Sequence, residues 1–141
     1  MIAIIDYGAG NLRSVAKAVE KLGHSPKITQ STRELLKADA VILPGVGAAA
    51  DDMASLESLG LADPIRRLIE ENRPFFGVCL GLQVLFSATE EGGWQPCLDV
   101  LPGVVRRLPA GLKVPHMGWN QVQQKFSHPL FAGIPDGTPF Y

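Results

Sequence analysis

Apolar residues recur along this chain in two rhythms, short continuous runs and runs at helical spacing. The β-branched run over residues 2–6 predicts a buried strand. Leu12, Val15, Ala16, Val19 and Leu22 recur on one side of a predicted helix over 12–22, and Gly23 is placed to stop it. Residues 26–29 predict a weaker strand, 32–37 a short helix and 40–43 a buried strand. Pro44-Gly45-Val46-Gly47 then predicts a sharp loop. Helices are predicted over 48–56 and 63–71, the second opened by Asp63 as cap with Pro64 in its first turn. The apolar run 75–78 predicts a strand leading straight into Cys79, and 80–88 predicts another helix.

Strand and helix thus alternate through the first 90 residues. The expected fold class is α/β, a mostly parallel central sheet with helices on both faces. Beyond Glu91, prolines and glycines become frequent, and only short strands are predicted, over 104–108, 112–114 and 120–122. No repeat, low-complexity tract or linker interrupts the chain, so residues 1–141 read as a single domain. Thr138-Pro139-Phe140-Tyr141 reads as the opening of a strand, which raises the expectation that the C-terminal part of the domain is missing.

Composition narrows the function classes. At 141 residues and 46% hydrophobic, the chain can bury a core. A net charge of -1, with basic residues scattered, gives no footprint for nucleic acid. No apolar run reaches the roughly 18 residues that a membrane span needs. The N-terminal run lacks the basic region and cleavage signal of a secretory leader, so the expected compartment is the cytoplasm. Two cysteines, Cys79 and Cys97, are too few for a disulfide framework. No Cys/His cluster has metal-ligand spacing, so neither a metal nor a cofactor is expected. Gly8-x-Gly10 is no dinucleotide fingerprint, because Arg13 occupies the third glycine position.

The sharpest chemical feature is Gly77-Val78-Cys79-Leu80-Gly81-Leu82-Gln83, between a predicted strand and a predicted helix. A tight strand-to-helix bend projects the residue at its tip, and small residues on either side allow close approach. That is the mechanics of a nucleophile elbow, with sulfur in place of oxygen. A helix starting behind the sulfur favours thiolate, the reactive form. The backbone N–H of Leu80 faces the same place and can receive an oxyanion. The competing reading of Cys79 is an inert buried thiol; Cys97, with no motif around it, is read that way.

The Gly-x-Cys-x-Gly-x-Gln segment resembles the nucleophile motif of the class I, triad-type glutamine amidotransferases. Asp6-Tyr7-Gly8-Ala9-Gly10-Asn11-Leu12, Pro44-Gly45-Val46-Gly47 and Lys113-Val114-Pro115-His116-Met117-Gly118-Trp119-Asn120 narrow the resemblance to the glutaminase subunits of imidazole glycerol phosphate synthase, in histidine biosynthesis. The resemblance covers essentially the whole chain and implies a flavodoxin-like α/β fold. It also implies that Cys79 attacks the side-chain amide of glutamine, giving a glutamyl thioester and ammonia. By the same resemblance, Val46 supplies a second oxyanion donor beside Leu80, and Gly45, Gly47, Gln83 and Glu91 hold the substrate. Asn11, Pro115, His116, Met117, Trp119 and Asn120 would face a cyclase subunit, a (β/α)8 barrel that receives the ammonia in a heterodimer with lyase activity. On the residues alone, other readings stay open: Pro44–Gly47 as a plain turn, Glu91 as a solvated charge, Trp119 as core, and His116 as an ordinary histidine.

The chain departs from that family in one respect that matters. The family carries its base and orienting acid as His-Pro-Glu, and none of His24, His116 or His128 is followed two residues later by Glu. Truncation is the favoured explanation, and little glutamine turnover is expected of the 141 residues alone. The alternative is a non-catalytic partner that keeps the fold and the docking face. A smaller departure is Ala49-Ala50, where the family often carries an aromatic.

Overall fold

Branched and aromatic residues in short runs, separated by glycine and by amphipathic segments, build a wound sheet here. The computed structural model describes all residues, 1–141. It divides into two compact units, Met1–Arg107 and Leu108–Tyr141.

The first unit begins β1 (Ile2–Ile5), α1 (Leu12–Lys21), β2 (Pro26–Thr29), α2 (Thr32–Leu35) and β3 (Ala40–Gly45). It continues with α3 (Ala49–Ser58), α4 (Ala62–Glu70), β4 (Phe75–Cys79) and α5 (Leu80–Gln83). The four strands form one sheet in the order β2-β1-β3-β4, and every pairing is parallel. Side chains alternate across it. Ala3, Ile5, Val41 and Leu43 enter one core with Leu35 of α2, Met53 and Leu56 of α3, Ile65 and Leu68 of α4, and Leu80 of α5. Ile4, also fully buried, points to the opposite face, where α1 lies against β1 and β2 with Val19 buried. The sheet is therefore covered on both faces, as the alternation of elements predicts.

Three local expectations are corrected. Residues 80–88 are not one helix: α5 is a single turn, and Phe86–Thr89 form β5. β5 pairs antiparallel with β6 (Gln95–Pro96) and parallel with β7 (Leu101–Val105), so pairing partners distant in sequence override a local helical pattern. Leu22 is 77% exposed, because α1 ends at Lys21 and the chain turns away at Leu22 and Gly23. Asp63 does not cap α4: the cap position is Leu61, and the Asp63 carboxylate accepts from Arg66 Nη1 at 2.7 Å.

In the second unit, β8 (Asn120–Gln121) and β9 (Pro139–Phe140) form a two-stranded antiparallel ribbon. A 3-10 turn spans Pro129–Phe131. No strand forms at 112–114, and the strand expected at 104–108 lies earlier, as β7 in the first unit. Gln124 ties the loop together, its N–H donating to Asp136 Oδ1 and its amide Nε2 to the Ile134 carbonyl. No helix in the structure is long and apolar enough to cross a membrane.

Candidate active site

Parallel strands leave their C-terminal ends on one edge, and loops there carry chemistry in wound α/β folds. Cys79 is the last residue of β4 and the cap position of α5, with φ +56° and ψ -121°. An L-residue rarely adopts this backbone, which aims the Cβ out of the bend. The thiol is exposed. Val78, one residue earlier, points to the other face of the sheet.

Close packing explains why glycine surrounds the cysteine. A Cβ on Gly81 would sit 2.0 Å from the Leu43 carbonyl oxygen; one on Gly77 would sit 2.7 Å from Leu82 Cα; one on Gly45 would sit 2.3 Å from Gly81 N. The single turn of α5 thus lies directly on β3 and β4, and only hydrogen fits in the contact. Gly77 and Gly81 were expected to give room; Gly45 completes the set.

The same contact sets the Pro44–Gly47 loop beside Cys79. Gly45 pairs with Cys79 in the parallel register, so their Cα atoms are neighbours across strands about 4.8 Å apart. Val46 follows directly, 60% exposed, and Gly47 takes φ +105°. The expected loop therefore begins two residues late, since Pro44 and Gly45 still belong to β3. Leu80 buries its side chain in the core while its backbone follows Cys79 round the bend. Gln83 stands four residues on, one helical turn from the cysteine and half-buried. Glu91 lies beyond β5, exposed, with its N–H donating to Thr89 Oγ1; it makes no hydrogen bond or ion pair with the elbow residues.

A helix of four residues carries far less dipole than the nine-residue helix that 80–88 predicts, so the positive end behind the sulfur is one turn of peptide. No histidine hydrogen-bonds to Cys79 Sγ. His24 is the one histidine of the first unit; it lies between α1 and β2, at the N-terminal edge of the sheet, opposite the end that carries Cys79.

Beside the elbow, on the α1 face, an open recess of about 510 Å³ is lined by Gly10, Asn11, Ser14, Val15, Pro44, Gly45, Val46 and Val78. It falls between β1 and β3, where the strand order reverses. Asn11 lines it while its side-chain oxygen caps α1, accepting from Ser14 N–H at 3.2 Å. In the second unit, Pro115, Met117 and Trp119 are exposed, Met117 and Trp119 at 75% and 72%, which rules out Trp119 as core. Trp119 packs edge to face on Tyr141 at 5.8 Å, and Asn120 Nδ2 is 3.2 Å from His116 Nε2.

Two groups near the elbow were not singled out as site residues. Tyr7 and Asp52, each 2% exposed, meet at 2.6 Å beneath Pro44. Burial, then the hydrogen bond and charge of Asp52, then the nearby Cys79, push the Tyr7 hydroxyl above its ordinary range. Burial also pushes the Asp52 carboxyl up, opposed by the Tyr7 hydrogen bond and helped by the charge of Asp51. The signal in the sequence was Asp52 itself, an acid at the same helical spacing as Ala49, Met53 and Leu56.

Comparison with known proteins agrees with this geometry. The model of the family described as "Glutamine amidotransferase class-I" matches residues 3–140. The "Imidazole glycerol phosphate synthase subunit HisH" of Dehalococcoides mccartyi (strain CBDB1) is 56% identical over 141 residues, covering all of this chain and 69% of the relative. The protein of the same name from Moorella thermoacetica is 58% identical over 140 residues, covering 99% of this chain and 67% of the relative. A solved structure titled "Crystal structure of glutamine amidotransferase" superposes with TM-score 0.67 at 27% identity, over 81% of this chain and 60% of the other. With nearly every residue matched and the cysteine elbow in place, this chain belongs to the class-I glutamine amidotransferases.

Proposed function

We propose that this chain is the glutamine-hydrolysing part of an imidazole glycerol phosphate synthase, acting in the cytoplasm in histidine biosynthesis. Cys79 Sγ attacks the side-chain carbonyl carbon of glutamine, and the tetrahedral oxyanion is received by the N–H groups of Val46 and Leu80. Collapse of that intermediate breaks the C–N bond as the nitrogen takes up the proton that the thiol gave up; ammonia leaves, and the glutamyl thioester that remains is hydrolysed by water to glutamate, which restores the thiol. Gly45, Gly47 and Gln83 line the substrate, with Glu91 reaching its amino-acid end. The supporting observation is the exposed Cys79 at positive φ, with Gly45 as its strand neighbour.

Asn11 in the first unit and Pro115, His116, Met117, Trp119 and Asn120 in the second form contacts with a cyclase subunit, a (β/α)8 barrel, in a heterodimer whose combined reaction is that of a lyase. Their exposure supports this assignment, since aromatic and methionine side chains are enriched in interfaces. Delivery inside the complex keeps ammonia unprotonated, and therefore nucleophilic, at neutral pH.

Glutamine protection tests the reading. Iodoacetamide labelling of Cys79 is expected to slow when glutamine is added and not when asparagine is added. Equal labelling in all three conditions refutes it. A second reading is a partner that keeps the fold without hydrolysis. Glutamate release with the cyclase subunit present separates the two.

A further inference from the structure

Tyr7 and Asp52 stand under the loop that carries Val46, and the cysteine chemistry does not use them. Tyr7 lies two residues beyond the end of β1, and Asp52 in the first turn of α3. Tyr7 Oη is 2.8 Å from the Pro44 carbonyl oxygen and 2.6 Å from Asp52 Oδ2. A phenol carries one proton, so it cannot serve two acceptors fully. With Asp52 neutral, the carboxyl O–H donates to Tyr7 Oη and the Tyr7 O–H donates to Pro44, and each group has a partner. Burial favours the neutral form of both groups.

Pro44 is the residue that such a chain of hydrogen bonds holds. It pairs with Val78 and precedes Gly45, the strand neighbour of Cys79. A peptide unit is planar. Fixing the Pro44 carbonyl therefore fixes the Gly45 N–H opposite it and the Cα from which the Gly45–Val46 peptide departs. Gly10 closes on the same residue from the other side; a Cβ there would lie 3.1 Å from Pro44 Cβ.

We propose that Tyr7 and Asp52 are positioning residues, a buried clamp on the Pro44 carbonyl that sets the direction of the Val46 N–H toward the carbon that Cys79 attacks. The inference rests on the glutaminase reading and deepens it. A merely structural pair, holding α3 against β3, would affect stability without distinguishing one electrophile from another at the same sulfur.

Two reagents on the 141-residue chain make that distinction. Iodoacetamide alkylates an exposed thiol without oxyanion donors. The chloroketone analogue of glutamine carries a ketone oxygen that must be held at the oxyanion position while the C–S bond forms, chloride leaves and the thiol proton passes to buffer. The chloroketone-to-iodoacetamide rate ratio at Cys79 is expected to fall on the order of tenfold in Tyr7→Phe and Asp52→Ala, the scale of a misplaced donor. It is expected to return to within about twofold of wild type in Asp52→Asn, whose amide N–H replaces the carboxyl O–H as donor to Tyr7. An unchanged ratio in Tyr7→Phe overturns the clamp. If Tyr7→Phe does not fold, the Asp52 variants decide, and equal ratios in Asp52→Ala and Asp52→Asn overturn it. Failure of glutamine to protect wild-type Cys79 is a separate result, which sinks the glutaminase reading and the clamp with it.

Discussion

Gly81→Ala is the most direct probe of how the elbow is held. The new Cβ would lie 2.0 Å from the Leu43 carbonyl oxygen, 2.8 Å from the Leu43 carbonyl carbon and 3.0 Å from that of Pro44. A comfortable C···O approach is about 3.3 Å, so β3 and α5 must separate by more than about 1 Å. All three contacts are backbone, and no flexible side-chain end can move aside. Overpacking in a core typically costs about 1–3 kcal/mol; with rigid backbone on the far side, the upper end, about 3 kcal/mol, is expected here. Urea unfolding followed by tryptophan fluorescence measures it. Gly60→Ala is the control: its φ of +64° strains an L-residue, but nothing lies within 4 Å of the added Cβ, so only about 1 kcal/mol is expected. Because Gly81 is two residues from Cys79, the same displacement should alter the iodoacetamide rate at the sulfur. A Gly81→Ala chain no less stable than Gly60→Ala, with unchanged Cys79 labelling, would refute the close-packed elbow.

Other outcomes follow from the same geometry. Native protein should take up one iodoacetamide, at exposed Cys79, and a second only after unfolding, because Cys97 is buried and burial pushes its thiol up; intact mass measures both. Asp52→Asn should flatten the dependence of stability on pH. The folded-state carboxyl is raised above its ordinary value of about 3.9, so wild-type stability falls as pH rises from there through the folded-state value, and Asn removes that fall; urea midpoints measured upward from that pH read it. Trp119→Ala should change stability by less than about 0.5 kcal/mol, since the ring is largely exposed, while weakening association with the cyclase subunit by tenfold or more, on the order of 1.4 kcal/mol; calorimetric titration checks both.

How much of this was readable in the residues depends on whether the deciding contacts were local. β1, β3 and β4 were legible because each is a branched or aromatic run that leads into a glycine-bearing segment, and α1 because its apolar spacing is helical. The cysteine elbow was legible because glycines two residues to either side of Cys79 have one economical explanation. Residues 80–88 carry a helical local pattern but do not form one helix, because Phe86–Thr89 is set by partners at Gln95–Pro96 and Leu101–Val105, which no window on the local pattern contains. Gly45 as part of the contact was hidden for the same reason: its neighbour is Gly81, on a different element. The Tyr7–Asp52 pair spans 45 positions, and only the anomaly of an acid on an apolar helix face hinted at it.

The left-handed backbone at Cys79 sets stability against reactivity at one position. Confining an L-residue there costs on the order of 1–3 kcal/mol, and glycine alone would occupy φ +56° without that penalty. Drift governed by thermostability alone would therefore replace the cysteine with glycine. Under the glutaminase proposal that penalty is the cost of holding a reactive thiol at the tip of the bend, and a consensus-stabilised variant of this scaffold should exempt residue 79 from redesign.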